Sequence, residues 1–176
     1  MIIKSIIAIM LLITALGLWV ASSRNSPGMK GVLSEKEIEL NDLPVGIEVV
    51  HAPNPVKAQL RGRSGSTYTW LHDTRGKSTI GDLTVTEFGA FSWHNNAWHF
   101  GTIYDRPFNA EEFEEWYSCP DAVLEVDTVY TDPNNYTGSD HLRASKTKWY
   151  YIGQDASGKR YKGEAVVDHV AELLEK

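Results

Sequence analysis

The sequence predicts a β-dominated α+β fold, in which short strands form an antiparallel, sandwich-like or barrel-like sheet. Short runs of alternating apolar and polar residues recur along the chain, and turn-forming residues separate them about every ten positions. A segment that begins near Asn109 carries the signature of one short inserted helix. The N-terminal residues form a separate apolar segment that predicts a membrane helix.

The apolar segment is the first element. Residues 6–21 read IIAIMLLITALGLWVA and follow the positive charge of Lys4. About 20 apolar residues span a bilayer as a helix, whereas a cleaved signal peptide needs a shorter run before small residues. We expect residues 1–23 to be a single-pass anchor in the cell membrane, with a cleaved signal as the alternative. Residues 24–43 then form a polar stalk, and residues 44–176 form one β-rich domain on the extracytoplasmic side.

Composition limits what this domain binds. Lys4 is the only charged residue among the first 23, so the remainder carries 16 basic and 23 acidic residues and a net charge of −7. Such a balance opposes binding to nucleic acid or to anionic lipid headgroups. Cys119 is the only cysteine, which excludes an internal disulfide. With six Trp, eight Tyr and five Phe, the core should be rich in aromatic rings.

Four strands are expected before the middle of the domain. Their segments are residues 46–51, 56–61, 66–72 and 82–88. In the third segment Trp70 and His72 point to one face, because side chains alternate along a strand. Residues 73–78 (DTRGKS) are typical of a turn, and Gly89 is expected to mark a bulge.

Asn95 and Asn96 predict a tight hairpin between two short strands, since asparagine tolerates the positive φ of such turns. The resulting register places Trp93 opposite Trp98. Both rings lie on the face that we expect to point toward the core, so Trp93 should contribute strongly to stability.

The inserted helix has a complete N-terminal signature. Asn109 is a favourable N-cap, and Glu112 three residues later completes a capping box. Phe108 and Phe113 have the spacing of a hydrophobic staple. Pro120 is expected to stop the helix soon after its last apolar residue.

The C-terminal third alternates between strands and turns. Strands are expected at residues 123–130, split near Asp127, and at residues 146–152 and 160–165. Residues 131–141 (TDPNNYTGSDH) are typical of a long polar loop. The spacing of the apolar residues from Val166 to Leu174 predicts a short C-terminal helix.

Two histidines on the hairpin form the first candidate site. As diagonal neighbours across the two strands, His94 and His99 would have Cβ atoms about 7 Å apart. Their imidazoles could converge on a transition metal ion, with His72 or an acidic residue as a third ligand. In the alternative interpretation they simply occupy the polar face of the hairpin.

The polar loop contains the second candidate site. Asp132, Asn134 and Asp140 offer the hard oxygen ligands that Ca²⁺ prefers. Their spacing does not match an EF-hand, and the same residue types occur in ordinary turns. A calcium loop and a plain turn are both compatible with the pattern.

Three consecutive aromatic residues form the third candidate site. Trp149, Tyr150 and Tyr151 lie on one predicted strand, so at least one ring must face away from its neighbours. An exposed ring could stack on a sugar or anchor a partner protein. Burial of these rings in the core is the alternative.

The chain contains no nucleophile elbow, phosphate-binding loop or zincin motif, so the sequence does not favour an enzyme. We therefore expect a membrane-tethered extracytoplasmic binding or accessory domain. It would interact with another envelope protein or an extracellular ligand and need no cofactor. The alternative from another class is a metal-binding or metal-dependent protein that uses the His94/His99 hairpin.

Overall fold

A computed structural model describes residues 34–60 and 65–175 of the chain. The predicted membrane helix at residues 1–23 and the first part of the predicted stalk lie outside these ranges. Within the described ranges, none of the helices has both the length and the apolar character needed to cross a membrane.

The described residues confirm a β-dominated α+β fold. The two α-helices are α1 (Glu35–Asp42) and α2 (Ala110–Tyr117). The strands are β1 (Ile47–Ala52), β2 (Val56–Leu60), β3 (Tyr68–Ser78), β4 (Leu83–His94), β5 (Ala97–Phe100), β6 (Val123–Leu124), β7 (Tyr130–Ser139), β8 (Ser145–Gln154) and β9 (Arg160–Leu173). A 3-10 turn, Pro120–Ala122, follows α2.

All these strands belong to one curled sheet. Its main path runs β1-β3-β2-β9-β8-β4-β5, with β7 paired to β3 and β6 paired to β4. The sheet is mixed, because β2 and β9 run parallel while the other named pairs are antiparallel. A bond between the hydroxyls of Thr137 on β7 and Thr147 on β8, at 3.3 Å, joins two strands that are not neighbours in the sheet. The curl therefore brings the outer strand β7 over the face of β8.

Three sequence-based assignments were wrong, and all three segments are strand. Residues 73–78 continue β3 instead of turning, and residues 131–139 form most of β7 instead of a polar loop. Residues 166–173 complete β9 instead of forming a C-terminal helix. In each case, pairing with a distant strand satisfies the backbone groups and overrides the local preference.

The hairpin prediction is confirmed in its turn and its register. Asn95 and Asn96 have φ values of 51° and 59°, and Trp93 pairs with Trp98. The expected burial of Trp93 is wrong, because the ring is 39% exposed. Its neighbour along the same face, Phe91, is fully buried in a cluster with Leu40 of α1 that does not include Trp93.

The inserted helix is confirmed as α2. The Asn109 side chain accepts a bond from the Glu112 backbone N–H at 3.0 Å, and the Glu112 carboxylate accepts one from the Asn109 N–H at 2.7 Å. Phe108 and Phe113 are both buried, with ring centroids 4.9 Å and 5.5 Å from the ring of Phe88. The start of α2 therefore packs against Phe88 of β4.

The end of the predicted stalk forms α1. Ser34 caps this helix through a capping box with Glu37, and Leu40 is buried against Tyr150 and Ile152 of β8. Lys36 of α1 pairs with Glu87 of β4 at 2.8 Å. The helix thus covers one face of the β4–β8 region, while α2 packs on the other.

A bulge in β4 sets which residues face α2. The register shifts between Val85 and Glu87, at Thr86 and not at the expected Gly89. Val85 and Phe88 consequently belong to the same core cluster although they are three residues apart. Gly89 has a different role, because a Cβ atom there would lie 2.9 Å from the ring of Tyr150.

Candidate functional site

A cavity of about 460 Å³ opens between β7, α2 and the α2-facing side of the β4–β8 pair. The segment that follows β5, residues 101–103, lines another part of its wall. Ligand sites for small molecules commonly measure about 300–1,000 Å³. The cavity therefore has the size of a site for one small molecule.

The strand pair β4–β8 supplies one wall through its cross-strand register. Ala90 lies opposite Trp149 and Ser92 lies opposite Thr147, and all four residues line the cavity. Trp149 is 8% exposed and packs nearly parallel to Phe108, with ring centroids 6.3 Å apart. Its indole N–H has no hydrogen-bond partner among the described residues.

The opposite wall comes from β7 and depends on an irregularity. His72 of β3 pairs with Asn135 and Thr74 pairs with Asp132, so β7 has one residue more than β3 between these pairs. In a regular strand, residues three apart would face opposite sides. The extra residue lets Asp132 and Asn135 both be buried and both line the cavity.

Hydrogen bonds hold this wall in place. The Asn135 side-chain amide donates to Thr74 Oγ1 at 2.9 Å, and Asp132 Oδ1 accepts from the Asn134 backbone N–H at 3.0 Å. Pro133 is tolerated in this strand because β7 pairs only with β3 among the described strands. The polar groups of the wall are therefore positioned before any ligand arrives.

Helix α2 contributes Glu115 and Trp116. Trp116 is half-buried, and its ring meets Phe108 and Phe88 edge-on, with centroids 4.6 Å and 5.5 Å apart. The bulge in β4 and the capping box of α2 therefore fix the position of this indole. Glu115 is exposed and lies at the rim.

The electrostatic character of the cavity is acidic. Glu115 and Asp132 are carboxylates, and no Lys, Arg or His is among the described residues that line it. Behind Asp132, the hydroxyls of Tyr117 and Tyr151 are hydrogen-bonded at 2.5 Å. Burial, and to a lesser extent the charge of Asp132, raise the pKa of both hydroxyls well above the usual value for tyrosine.

The predicted aromatic site is divided by the sheet. Trp149 lines the cavity, whereas Tyr150 lies on the opposite face and donates to Glu87 Oε1 at 2.8 Å. Tyr151 is buried in the core behind the cavity. Alternation along β8 explains this separation.

The predicted calcium loop is also divided, because its residues lie on a strand. Asp132 and Asn134 line the cavity. Asp140, just beyond the far end of β7, accepts bonds from the backbone N–H and the hydroxyl of Thr67 at 3.1 Å and 3.2 Å. Asp132 and Asp140 are eight positions apart along an extended chain, which separates them by about 25 Å, too far for ligands of one ion.

The hairpin histidines do come together. The rings of His94 and His99 stack with centroids 3.6 Å apart, on the face of the sheet that carries Ser92. His72 is buried elsewhere, and its ring contacts His51 and His169. Across residues 34–60 and 65–175, no three His, Cys, Asp or Glu side chains are arranged to hold a metal ion.

The buried histidine cluster of His51, His72 and His169 was not anticipated from sequence. Ring centroids lie 5.2 Å apart between His51 and His72 and 6.4 Å apart between His72 and His169. His51 Nδ1 bonds to Thr74 Oγ1 at 3.0 Å, and His169 Nδ1 bonds to Ser145 Oγ at 2.8 Å. Neither ring nitrogen of His72 has a partner among the described residues. Burial lowers the pKa of all three imidazoles to about 4.

Comparison of the chain with known protein families, with characterised proteins and with solved structures finds no match. The fold and the site define the chain as a β-dominated α+β domain with a polar and aromatic cavity.

Proposed function

We propose that this chain is a membrane-tethered extracytoplasmic domain that binds a small extracellular ligand in the cavity between β7, α2 and the β4–β8 pair. The observation that carries the proposal is the bulge in β7, which turns both Asp132 and Asn135 toward a cavity that Trp116 and Trp149 also line. Bulges commonly re-aim side chains next to functional sites. A few polar groups converging beside aromatic walls are typical of ligand pockets.

The rigidity of the walls supports binding over a purely structural role. Trp149 lies on a central strand that is paired on both sides, and Trp116 is held by Phe88 and Phe108. Asn135 is fixed by its bond to Thr74. Preorganised groups lose little conformational freedom when a ligand binds, which favours affinity.

The proposed location rests on the sequence. The apolar run at residues 6–21 and the small number of charges before it are features of an export signal or anchor. A domain held near the outer face of a membrane would meet ligands from outside the cell or within the envelope. Another envelope protein, docking on the rim of the cavity, is the partner that such a tethered binding domain would serve.

A second candidate function is metal binding at the hairpin. The exposed rings of His94 and His99 support this candidate because they lie side by side on one face. Since the rings stack almost parallel, one of them would have to turn before both could donate to the same ion. The remaining coordination positions would have to come from water or from an added ligand.

The test is a thermal-stability screen of the full-length protein, solubilised in a mild detergent, against a library of small metabolites. Ser92→Trp places a large ring in the cavity at an exposed strand position. Thr84→Trp, also exposed and on the same strand but outside the cavity, is the matched control. Compounds that bind the folded state raise its melting temperature by mass action.

We expect at least one compound to protect the wild type and Thr84→Trp but not Ser92→Trp. Protection that survives in Ser92→Trp would place the binding site elsewhere and refute the proposal. A library that protects none of the three proteins would also refute it.

A further inference from the structure

We infer that the ligand of this cavity is an uncharged saccharide, an inference that rests on the proposed function and specifies the class of ligand. The inference rests on the lining of the cavity, in which side-chain hydroxyls and amides accompany two indole rings. No cationic side chain is among the described residues of this lining. Each feature excludes or favours a different chemistry.

Anionic ligands are excluded by the charge of the lining. Phosphates, carboxylates and sulfates are recognised in proteins by Arg, Lys or helix N-termini. The described lining has none of these cationic side chains and contains Glu115 and Asp132 instead. An anion entering the cavity would be repelled by the buried carboxylate of Asp132, at a dielectric lower than that of water, and more weakly by the exposed Glu115.

Apolar ligands are disfavoured by the number of polar groups. The residues of the lining that carry hydroxyls are Ser92, Thr102, Tyr136, Thr137 and Thr147, and those that carry amides are Asn134 and Asn135. Some of these groups already have one partner in the protein, since Thr137 bonds to Thr147 and Asn135 donates to Thr74. An apolar molecule would leave their remaining donors and acceptors without partners, which costs free energy. A ligand that carries several hydroxyls replaces those bonds, because each hydroxyl both donates and accepts.

Small organic cations are the nearest competitor, since aromatic rings and carboxylates also recognise ammonium groups. Two observations favour the saccharide. Asp132 already accepts the Asn134 N–H, and Glu115 lies at the exposed rim and not inside the cavity. Side-chain hydroxyls and amides outnumber the carboxylates, and they match a neutral polyol better than a single point charge.

The aromatic walls complete the match. Trp116 and Trp149 both belong to the lining and are held by Phe108, so their rings cannot easily turn away. The two faces of a sugar ring differ, and the face that carries axial C–H groups packs against a flat aromatic surface. Hydroxyls at the ring edge would then meet the hydroxyls and amides of the lining.

The experiment measures binding of three probe classes to the full-length protein in detergent by isothermal titration calorimetry. The uncharged probes are glucose, N-acetylglucosamine and their disaccharides, the anionic probe is glucuronate, and the cationic probe is choline. Asn134→Ala removes one amide at an exposed position of β7. Ser139→Ala, at the far end of the same strand and outside the cavity, is the matched control.

We expect at least one uncharged saccharide to bind, with an affinity about fivefold weaker in Asn134→Ala and unchanged in Ser139→Ala, which is the loss of one neutral hydrogen bond. Glucuronate should bind at least tenfold more weakly than glucose. Loss of saccharide binding in Ser92→Trp would confirm the location.

Choline or glucuronate binding that Ser92→Trp abolishes would overturn the saccharide and leave the proposed function standing. Saccharide binding that neither Asn134→Ala nor Ser92→Trp weakens would overturn the inference, because the sugar would lie elsewhere. If none of the three probe classes binds while a library compound protects the wild type but not Ser92→Trp, only the saccharide inference is refuted. If no compound binds at all, both proposals fail.

Discussion

Acidification from pH 7 to pH 5 should destabilise this domain strongly through the buried histidine cluster. His51, His72 and His169 are each at least 94% buried, and burial lowers the pKa of each imidazole to about 4. The neighbouring carboxylates of Asp73 and Asp168 favour the charged forms of His72 and His169, but burial outweighs them. The folded state therefore keeps all three rings neutral at pH 5.

The direction follows from which state binds more protons. An unfolded histidine has a pKa of about 6.5, so between pH 6.5 and pH 4 the unfolded chain is protonated while the folded chain is not. Stability falls as the pH is lowered through this window. Each ring should cost about 2 kcal/mol between pH 7 and pH 5, and the three together about 6 kcal/mol. That loss is comparable with the whole stability of many domains, about 5–15 kcal/mol.

The assay is urea denaturation followed by tryptophan fluorescence at pH 7 and pH 5. Because His72→Leu can change stability at both pH values, the quantity to compare is the difference between them. This difference should shrink by about 2 kcal/mol in His72→Leu. His141→Gln, at an exposed position, is the control and should leave it unchanged. A free energy of unfolding that does not differ between pH 7 and pH 5, or a difference that His72→Leu does not reduce, would refute the reasoning.

Further variants test the helix and the hairpin. Asn109→Ala should lower the free energy of unfolding by about 1 kcal/mol in urea melts, because α2 loses its N-cap bond. Phe113→Ala should lower it by about 3–5 kcal/mol, because its ring is 1% exposed. Losses near zero in both variants would contradict the assignment of the cap and the buried ring. Trp93→Ala should lower the free energy of unfolding by only about 1 kcal/mol, since the ring is 39% exposed and mainly contacts Trp98. A loss of several kcal/mol would show that Trp93 is buried. Replacing His94 and His99 together by alanine should leave the urea midpoint nearly unchanged; if Zn²⁺ or Cu²⁺ raises the melting temperature of the wild type and not of this double variant, the hairpin metal site gains support.

Elements with strong local signals could be predicted from the sequence. The Asn95–Asn96 turn requires positive φ at two positions, and asparagine supplies it. The start of α2 depends on Asn109 and Glu112, whose side chains each bond to the other's backbone, and Glu112 also pairs with the nearby Arg106. Neither element needs information from a distant part of the chain.

Elements that depend on distant pairing could not be predicted. Residues 131–139 contain Pro, Asn and Gly, which are rare in strands, and only pairing with β3 makes them extended. The apolar spacing after Val166 fits a helix, but β9 is paired on both sides by β2 and β8. The partner strands β3 and β2 lie far away in sequence from β7 and β9, whereas β8 directly precedes β9.

The candidate site was predicted in fragments. Asp132, Asn134 and Trp149 were each identified from residue type, but for different chemistries and at different places. The bulge that lets Asp132 and Asn135 share the cavity with Trp149 has no sequence signature, because it is defined by the register of β3 against β7. Burial of Tyr150 and Tyr151 on opposite faces follows from alternation once β8 is known to be covered on both sides.

The position of β9 determines when this domain can fold. This strand, Arg160–Leu173, lies between β2 and β8, and it supplies the Val170 carbonyl that accepts the Trp70 indole N–H at 2.8 Å. A ribosome that has released only the first 150 residues has therefore produced a sheet split at its centre. Pairings over such sequence separations form slowly. A chain whose sheet stays divided until β9 has been made remains unfolded for longer, and the export that we propose for this chain through a channel for unfolded polypeptides would need that state.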